Sequence, residues 1–204
     1  MSEIIIRKVE DPEELKALFR LRHKIYCEEL HWLDAANYPE GLEKDEYDKY
    51  SLHYGAFNGR EAIGTIRLIL ENPQGLPIRD VMGGKEIISS DKGKTAEISR
   101  LLVGKAENLT KHNAITLALI KQVYFNGKYK SGVTDWFAAF DVYVHRLIKM
   151  IGFKFKPLGA PKIFMGSKTV PTHITTREAD EYFLSHNKSF YDYLNSEKEI
   201  FFQG

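Results

Sequence analysis

Charged side chains at seven positions stand out because several lie in segments that otherwise read as buried. They are Arg22 in LRHKIY, Glu43, Asp45 and Asp48 in the run EKDEYD, Arg67 in GTIRLIL, and Glu97 and Arg100 in AEISRLLV. Unpaired charge is costly in a protein interior, so we expect these groups to meet one another in one site. Carboxylates there can accept protons, and a guanidinium group can bind a carboxylate through two parallel hydrogen bonds. The competing interpretation is a set of surface salt bridges, which contribute little to stability.

Glu97 and Arg100 are three residues apart in a segment that reads as a strand. Residues three apart point to opposite faces of a regular strand, so both can serve one site only if the strand bulges between them. A bulge also leaves backbone N–H groups unpaired, and such donors stabilise the oxyanion that develops in acyl transfer. The spacing therefore predicts either a bulge or a purely structural role for one of the two residues.

Other reactive residue types have plainer interpretations. His53 lies on a predicted strand and is either a base or a hydrogen-bonded structural group, and Trp32 is a core or pocket-wall aromatic. Cys27 is followed by two glutamates, which disfavour a thiolate, so we do not expect it to be a nucleophile. The sequence contains no Gly-x-Ser-x-Gly, HExxH, P-loop or Gly-x-Gly-x-x-Gly motif, and nothing in it supports a metal site.

Size and composition indicate one ordinary globular domain. The 204 residues suffice for one core and are few for two, so we predict a single domain over 1–204 with its core at about 4–170. Hydrophobic residues make up 43% of the chain, and no apolar run reaches the roughly 20 residues of a membrane span. With 29 basic and 28 acidic residues, nucleic acid is not an expected partner.

The cysteine count and the N-terminus bear on the cellular compartment. A lone cysteine excludes an internal disulfide, and the start MSEIIIRKVE lacks a signal-peptide pattern. We therefore expect a cytoplasmic protein without integral membrane association, and we favour a monomer.

The first half of the chain must position most of the charged residues. IIIRK at 4–8 reads as a strand, and Asp11-Pro12-Glu13-Glu14 begins a helix that runs to about residue 30, with Arg22 on its apolar side. Residues 33–50 have no regular period and read as a functional or mobile loop. HYGAF and AIGTIRLIL flank an Asn58-Gly59 turn, which predicts a hairpin with Arg67 in its second strand.

The second half alternates strands and helices. We predict a strand at about 96–103, a helix near 111–126, a strand at DWFAAF, a helix at VYVHRLIKMIG that ends at Gly152, and a strand at FKFKPLG. The segment from about 171 to 204 reads as a helical, aromatic tail that packs on the core. This order predicts a mixed α+β fold.

The order of LRHKIYCEELHW, EKDEYD, GTIRLIL and AEISRLLV resembles the LuxI-type acyl-homoserine lactone synthases. It is more similar still to the long-chain N-acyl amino acid synthases and the exosortase-associated acyltransferases, over residues about 15–165. All belong to the superfamily of GNAT-like N-acyltransferases. The resemblance implies a mixed, mostly antiparallel central sheet with a V-shaped splay, flanked by helices, in which the acyl-carrying pantetheine arm lies in the splay.

The same resemblance implies roles for individual residues. The signature positions of the lactone synthases form an ionic cluster and acceptor pocket, and they fall here on Arg22, Tyr26, Trp32, Glu43, Asp45, Asp48, Arg67, Glu97 and Arg100, with His53 beside them. Glu97 is the expected general base, and Arg100 or Arg67 is expected to bind the acceptor carboxylate. The acyl slot is expected at Trp136, Phe137, Ala138, Ala139 and Phe140.

The donor is expected to be a carrier-protein thioester. Acetyltransferases that use coenzyme A usually have a glycine-rich turn after the central strand, whereas VGKAENLTKHN contains one glycine. A phosphopantetheine arm has a single phosphate, which Lys105, Lys111 and His112 could receive next to Leu102 and Val103. The alternative is that these are solvated surface charges. No permanently bound cofactor is expected. Acyl carrier protein is expected as both partner and co-substrate, and acyl-coenzyme A is the alternative donor.

The predicted function is transfer of a long-chain acyl group to the α-amine of an amino acid. Acyl-homoserine lactone synthesis from S-adenosylmethionine is the alternative. His31 stands where the lactone synthases usually have glycine, and the YCEE and HYGAF segments resemble the amino acid synthases. Both features favour an amino acid over S-adenosylmethionine as the acceptor. A non-catalytic acyl- or carrier-binding module is the further alternative.

Overall fold

The computed structural model describes residues 3–85, 93–105, 108–197 and 200–203. The helices are α1 (Pro12–His23), α2 (Ile78–Val81), α3 (Leu109–Phe125), α4 (Val142–Ile151), α5 (Thr176–His186) and α6 (Lys188–Leu194). The strands are β1 (Glu3–Val9), β2 (Ser51–Asn58), β3 (Glu61–Leu70), β4 (Lys94–Val103), β5 (Val133–Asp141), β6 (Lys156–Pro157), β7 (Lys162–Phe164), β8 (Ser167–Thr175) and β9 (Ile200–Gln203).

The chain divides into two compact units. The first contains the chain up to Arg67, Arg100–Tyr124 and the segment from Glu197 onward, and the second contains Leu68–Ser99 and Phe125–Ser196. Three of the boundaries fall inside β3, β4 and α3, so each of these elements contributes to both units. The single domain expected from chain length stays a prediction.

The first unit is built on strands in the order β9, β1, β2, β3. β1 is antiparallel to β2, with Ile6 opposite Ala56 and Val9 opposite His53. The predicted turn after Asn58 is present, with Gly59 in the left-handed region at φ 60°, which glycine adopts without strain. Helix α1 packs Leu18 against Val9 and Phe57 on one face of these strands.

Helix α1 begins where the sequence indicates and ends earlier than expected. The Asp11 carboxylate accepts the backbone N–H groups of Glu13 and Glu14, which caps the helix N-terminus. The α-helical pattern ends at His23 and continues as a π-helical turn over Lys24–Glu29. A π turn contains an extra residue, so the side chains beyond it are rotated relative to the α1 stripe.

The second unit is organised around β5. β4 and β5 pair in parallel from Lys94 to Ile98, and β5 and β8 pair antiparallel, with Phe137 opposite His173. β6 and β7 both pair with β8. Trp136 packs so closely on Gly127 that an added Cβ there would lie 2.3 Å from the indole ring.

The predicted mixed α+β fold with mostly antiparallel strands and flanking helices is confirmed. The strand predicted at FKFKPLG is too long, because only Lys156–Pro157 pairs with β8. The tail from residue 171 is not wholly helical, since it begins inside β8 and contains β9. The V-shaped splay stays a prediction.

Candidate active site

Six of the seven charged side chains form a closed ionic ring in the first unit. In the ring every arginine lies between two carboxylates, in the order Arg22, Glu43, Arg100, Asp45, Arg67, Asp48 and back to Arg22. The expectation that these charges meet is therefore confirmed for all six. Three positive and three negative charges balance within the ring, which lowers the cost of burying each of them.

The contacts around the ring are short and several are bidentate. Arg22 donates to Glu43 and, through two nitrogens, to both Asp48 oxygens at 2.8 and 3.2 Å. Arg100 donates to Glu43 at 2.7 Å and to Asp45 at 3.0 Å. Arg67 donates to Asp45 at 2.6 Å and to Asp48 at 2.7 Å. Such paired geometry fixes the orientation of each guanidinium plane.

The ring is buried unevenly. The side chains of Arg22, Arg67 and Glu43 are at most 1% exposed, whereas Arg100 is 9%, Asp48 is 10% and Asp45 is 23% exposed. Asp45 is thus the most exposed member of the ring, and its partner Arg100 is the most exposed of the three arginines. We call this bonded pair the accessible edge of the ring.

The arginines keep two of the ring carboxylates, Glu43 and Asp48, ionised. Burial alone would raise the pKa of Glu43, but the charges of Arg100 and Arg22 outweigh burial and hold that pKa at about 2. Burial likewise opposes the charge of Asp48, and Arg22 and Arg67 keep its pKa well below the ordinary value. Glu43 and Asp48 are therefore charged at neutral pH.

The loop that supplies the three carboxylates is held by local hydrogen bonds. The Glu43 N–H donates to the Phe19 carbonyl of α1 at 3.1 Å. The Asp48 carboxylate accepts the Asp45 N–H at 2.8 Å, and the Asp45 carboxylate accepts the Tyr47 N–H at 3.0 Å. These bonds form an Asx-turn network, so the acids reach the ring from an ordered segment.

Arg100 breaks the regular alternation of β4. Its φ of 54° lies in the left-handed region, which is rare for residues with a side chain and costs roughly 1–2 kcal/mol. β4 is therefore irregular at Arg100, but the register shift recorded in its pairing with β5 lies between Lys94 and Thr95, so the bulge expected between Glu97 and Arg100 stays a prediction. Three hydrogen bonds to Glu43 and one to Asp45 stabilise the side chain that the strained backbone presents.

Aromatic side chains and His53 surround the ring. The Arg100 guanidinium lies 5.5 Å from the centre of the Tyr26 ring, and Tyr26 stacks on Trp32 at 5.9 Å. His53 contacts the Asp48 carbonyl oxygen through Nε2 at 3.1 Å and packs edge-on against Phe19. These contacts support the structural interpretation of His53.

Glu97 lies in the second unit and is almost fully buried. Its carboxylate accepts the backbone N–H of Ile78, the first residue of α2, at 2.8 Å. In the parallel register Glu97 is opposite Phe137, so the two side chains share a face. The Glu97 side chain thus lies on the same face of the sheet as Phe137, and a backbone amide orients its carboxylate.

The five residues of the expected acyl slot are divided between two faces of β5. Trp136, Ala138 and Phe140 share one face, and Phe137 and Ala139 share the other. The Trp136 indole N–H donates to Thr176, and Phe140 packs edge-on against Phe155, so the first face is filled by core contacts. Only the face of Phe137 and Ala139 is shared with Glu97.

The residues expected to receive the carrier arm lie where the sequence indicates. Leu102 and Val103 end β4, Lys105 is exposed in the following turn, and Lys111 and His112 lie in the first turn of α3. The Asn108 side chain caps this helix by accepting the Lys111 N–H at 2.9 Å. The intervening residues 106 and 107 lie outside the described part of the chain.

The second unit also contains a histidine and aspartate pair that the sequence does not predict. His173 Nε2 lies 2.9 Å from the Asp135 carboxylate, which is fully buried, and the His173 ring is 4.6 Å from the Phe137 ring. Asp135 carries a signal, because it is a charged residue directly before the apolar run WFAAF of β5. His173 carries none, because Pro171 in the same segment argues against a strand.

Comparisons with solved structures show the fold. A coenzyme A-dependent acyl-homoserine lactone synthase, BjaI, has a TM-score of 0.70 at 21% identity and covers 96% of this chain and 91% of its own. FeeM, an N-acyl amino acid synthase from uncultured soil microbes, has a TM-score of 0.64 at 17% identity over 89% of this chain and 96% of its own. The AHL synthase LasI has a TM-score of 0.66 at 16% identity over 86% and 91%.

A search of curated proteins finds no match. The family model described as N-acyl amino acid synthase FeeM matches residues 17–175, which include all six members of the ionic ring and Glu97. The chain therefore belongs to the FeeM family of N-acyl amino acid synthases and is an acyltransferase.

Proposed function

We propose that this protein transfers a long-chain fatty acyl group from an acyl-carrier-protein thioester to the α-amine of an amino acid. The amine nitrogen forms a bond to the acyl carbon, the C–S bond breaks, and the carrier thiol leaves with a proton. The observation that carries the proposal is the buried ionic ring with Arg100 at its accessible edge, in a chain of the FeeM family.

Arg100 is the proposed binding group for the carboxylate of the acceptor. Arg67 is the other arginine expected for this role, but it is 1% exposed against 9% for Arg100. The acceptor approaches the ring at its accessible edge, where Arg100 presents a planar set of donors. Asp45, at the same edge, is placed to attract the positively charged amine before the amine loses its proton.

Glu97 is the proposed general base. An α-amino group has a pKa of about 8, so it must lose a proton before it attacks the thioester. The hydrogen bond from the Ile78 N–H orients the Glu97 carboxylate for this role. Backbone N–H groups beside the irregularity at Arg100 are the proposed donors to the oxyanion.

The acyl chain is proposed to lie along the face of β5 that carries Phe137 and Ala139. This face is shared with Glu97 through the parallel register, whereas the Trp136 face is occupied by core side chains. The small side chain of Ala139 leaves space beside Phe137. The carrier phosphate is proposed to bind near Lys105, Lys111 and His112.

Acyl-homoserine lactone synthesis is the second candidate, because two of the structures of similar fold carry that activity in their names. The presence of His31 in place of glycine is weaker evidence against lactone synthesis than the sequence suggests. His31 has φ 52°, which is the left-handed conformation that glycine favours, so the backbone is compatible with the lactone-synthase pattern despite the substitution.

One experiment separates these functions. The purified protein is incubated with long-chain acyl carrier protein or acyl-coenzyme A and, in separate reactions, with each amino acid or with S-adenosylmethionine, and the products are weighed by mass spectrometry. An N-acyl amino acid formed from the carrier donor is the expected result. A lactone supports the second candidate, and the absence of any product with both donors overturns both.

A further inference from the structure

One stretch of the chain is entirely free of acidic residues although the whole chain is nearly neutral. The 36 residues from 142 to 177 contain seven lysines and arginines and no aspartate or glutamate. The stretch covers α4, β6, β7 and β8, all within the second unit. Positive charge is therefore concentrated in this stretch, and an excess of acidic residues in the rest of the chain makes the whole chain nearly neutral.

Most of these cations are exposed and lack an acidic partner among the residues that the structure describes. The two exceptions are Lys156, which contacts Glu178, and Arg177, which also has an interaction partner. The five exposed cations without such a partner are Arg146, Lys149, Lys154, Lys162 and Lys168. They are available to an external anionic surface.

Three large apolar side chains protrude from the same stretch. Met150 is 79% exposed, Ile163 is 76% exposed and Tyr143 is 74% exposed. On α4, Tyr143, Arg146 and Met150 have the spacing i, i+3, i+7, so apolar and basic side chains alternate along one exposed helix face. The opposite face of α4 buries His145 and Ile148 against the unit.

The strand register brings α4 and the β7 hairpin to the same face of the sheet. His145 of α4 stacks on Phe140, which is opposite Val170 in β8. Lys168 is two residues before Val170 on that face and is opposite Ile163. We define the basic face as Tyr143, Arg146, Lys149, Met150, Ile163 and Lys168, which lie on the same side of the sheet in the second unit.

We propose that the basic face docks on the surface of an anionic phospholipid bilayer. Lysine and arginine bind lipid phosphates, and protruding methionine, isoleucine and tyrosine side chains enter the boundary between headgroups and acyl chains. The attachment is peripheral, because no helix among the described residues is long and apolar enough to span a membrane. An acidic protein would also complement the positive charge. The three highly exposed apolar side chains favour a bilayer, because they can insert into it.

Membrane docking would also place the enzyme where a long-chain amide product partitions. This benefit rests on the proposed function, whereas the docking itself rests only on the charges and exposed side chains. Binding is therefore measured without substrates, so that its outcome is independent of whether the enzyme makes an amide.

The test is co-sedimentation of the full chain with vesicles. Vesicles of phosphatidylcholine with an equal part of phosphatidylglycerol are expected to bind the protein, and vesicles of phosphatidylcholine alone are expected to bind it at least about tenfold more weakly. Binding is expected to fall as salt is raised, because exposed charges are screened. Equal binding to both vesicle types, or to neither, would overturn the proposal.

Two double variants test the two components of the face. Met150→Asp with Ile163→Asp, and Arg146→Gln with Lys149→Gln, are each expected to weaken vesicle binding by about tenfold or more. The control is Leu184→Asp on α5, which places an aspartate on another exposed apolar residue of this unit. All substituted side chains are exposed, and thermal melts establish that the variants are folded.

The rival occupant is an acidic protein, and the same variants identify it. If the double variants lose binding to acyl carrier protein while the parent chain does not bind anionic vesicles, the face is a protein-docking surface and the bilayer proposal is wrong. If the double variants lose vesicle binding and retain turnover with a carrier donor in a vesicle-free assay, the bilayer proposal is supported.

Discussion

Glu43 accepts hydrogen bonds from Arg22 and Arg100, which are 78 positions apart in the sequence, and it is fully buried between them. A single carboxylate therefore joins the end of α1 to the irregularity in β4. Loss of its charge leaves two buried guanidinium groups without their shared partner.

We expect Glu43→Gln to lower the free energy of unfolding by about 3–5 kcal/mol, because removing one partner strands buried charge. The measurement is urea unfolding followed by circular dichroism. Glu40→Gln is the control, since Glu40 forms only an exposed pair with Lys44 and should change stability by less than about 0.5 kcal/mol. A similar effect of both substitutions would show that the ring is exposed to solvent.

The ring predicts a specific loss of stability in acid. The pKa of Glu43 is about 2 in the folded protein and 4.5 in its ordinary state, so the unfolded chain takes up a proton first. The resulting stabilisation, on the order of 3 kcal/mol, is fully present above about pH 4.5 and is lost as the pH falls toward 2. The unfolding free energy, measured between about pH 6 and pH 3, should therefore fall as the pH is lowered. In Glu43→Gln the decrease of the unfolding free energy with pH should be smaller.

Glu97→Gln tests the general base. The amide oxygen of glutamine can still accept the Ile78 N–H, so we expect a normal thermal melt. Turnover should fall by roughly 10²-fold or more, and the limb of the pH profile that reports the base should disappear. Glu61→Gln, an exposed substitution at the start of β3, serves as the control. Unchanged turnover would remove Glu97 from the mechanism.

The left-handed backbone of Arg100 predicts that a glycine variant is more stable than an alanine variant, which is the reverse of the usual order. Both Arg100→Gly and Arg100→Ala remove the ring contacts, but only glycine relieves the strain at φ 54°. We expect the glycine variant to be more stable than the alanine variant by about 1 kcal/mol. The opposite order, by about 1 kcal/mol, is expected for the same pair at Arg22, which lies in α1. If alanine is the better residue at both positions, the strand is regular at Arg100.

The members of the ring could be predicted from the sequence because charge within apolar patterns is an informative signal. Arg22 follows the helical period of its neighbours, and Arg67 lies within a strand of apolar residues. The closed order of contacts could not be predicted. It depends on tertiary placement, since Arg100 meets Glu43 across 57 positions of the chain.

The elements that were missed are those with weak local signals. β8 carries Pro171 in its centre, and proline within a run argues against a strand in sequence reasoning. The strand is stable because β5 pairs with it on one side and the Leu158 N–H donates to the Pro171 carbonyl on the other. The π-helical turn after α1 likewise has no pattern that distinguishes it from a continuous helix.

The division of Trp136–Phe140 between two faces follows from strand geometry and was available in principle. Five consecutive strand residues cannot line one slot together, because successive side chains of a strand point to opposite sides. The structure adds which face is occupied, because Trp136 is packed against Gly127 and bonded to Thr176.

The span of the ring contacts has a kinetic consequence. Contacts between positions as distant as Glu43 and Arg100 form only after the intervening chain has condensed, and such late contacts contribute little to the folding transition state. The contacts of Arg100 with Glu43 and Asp45 should therefore mainly slow the unfolding rate. They would prolong the lifetime of the native protein while leaving the folding rate nearly unchanged.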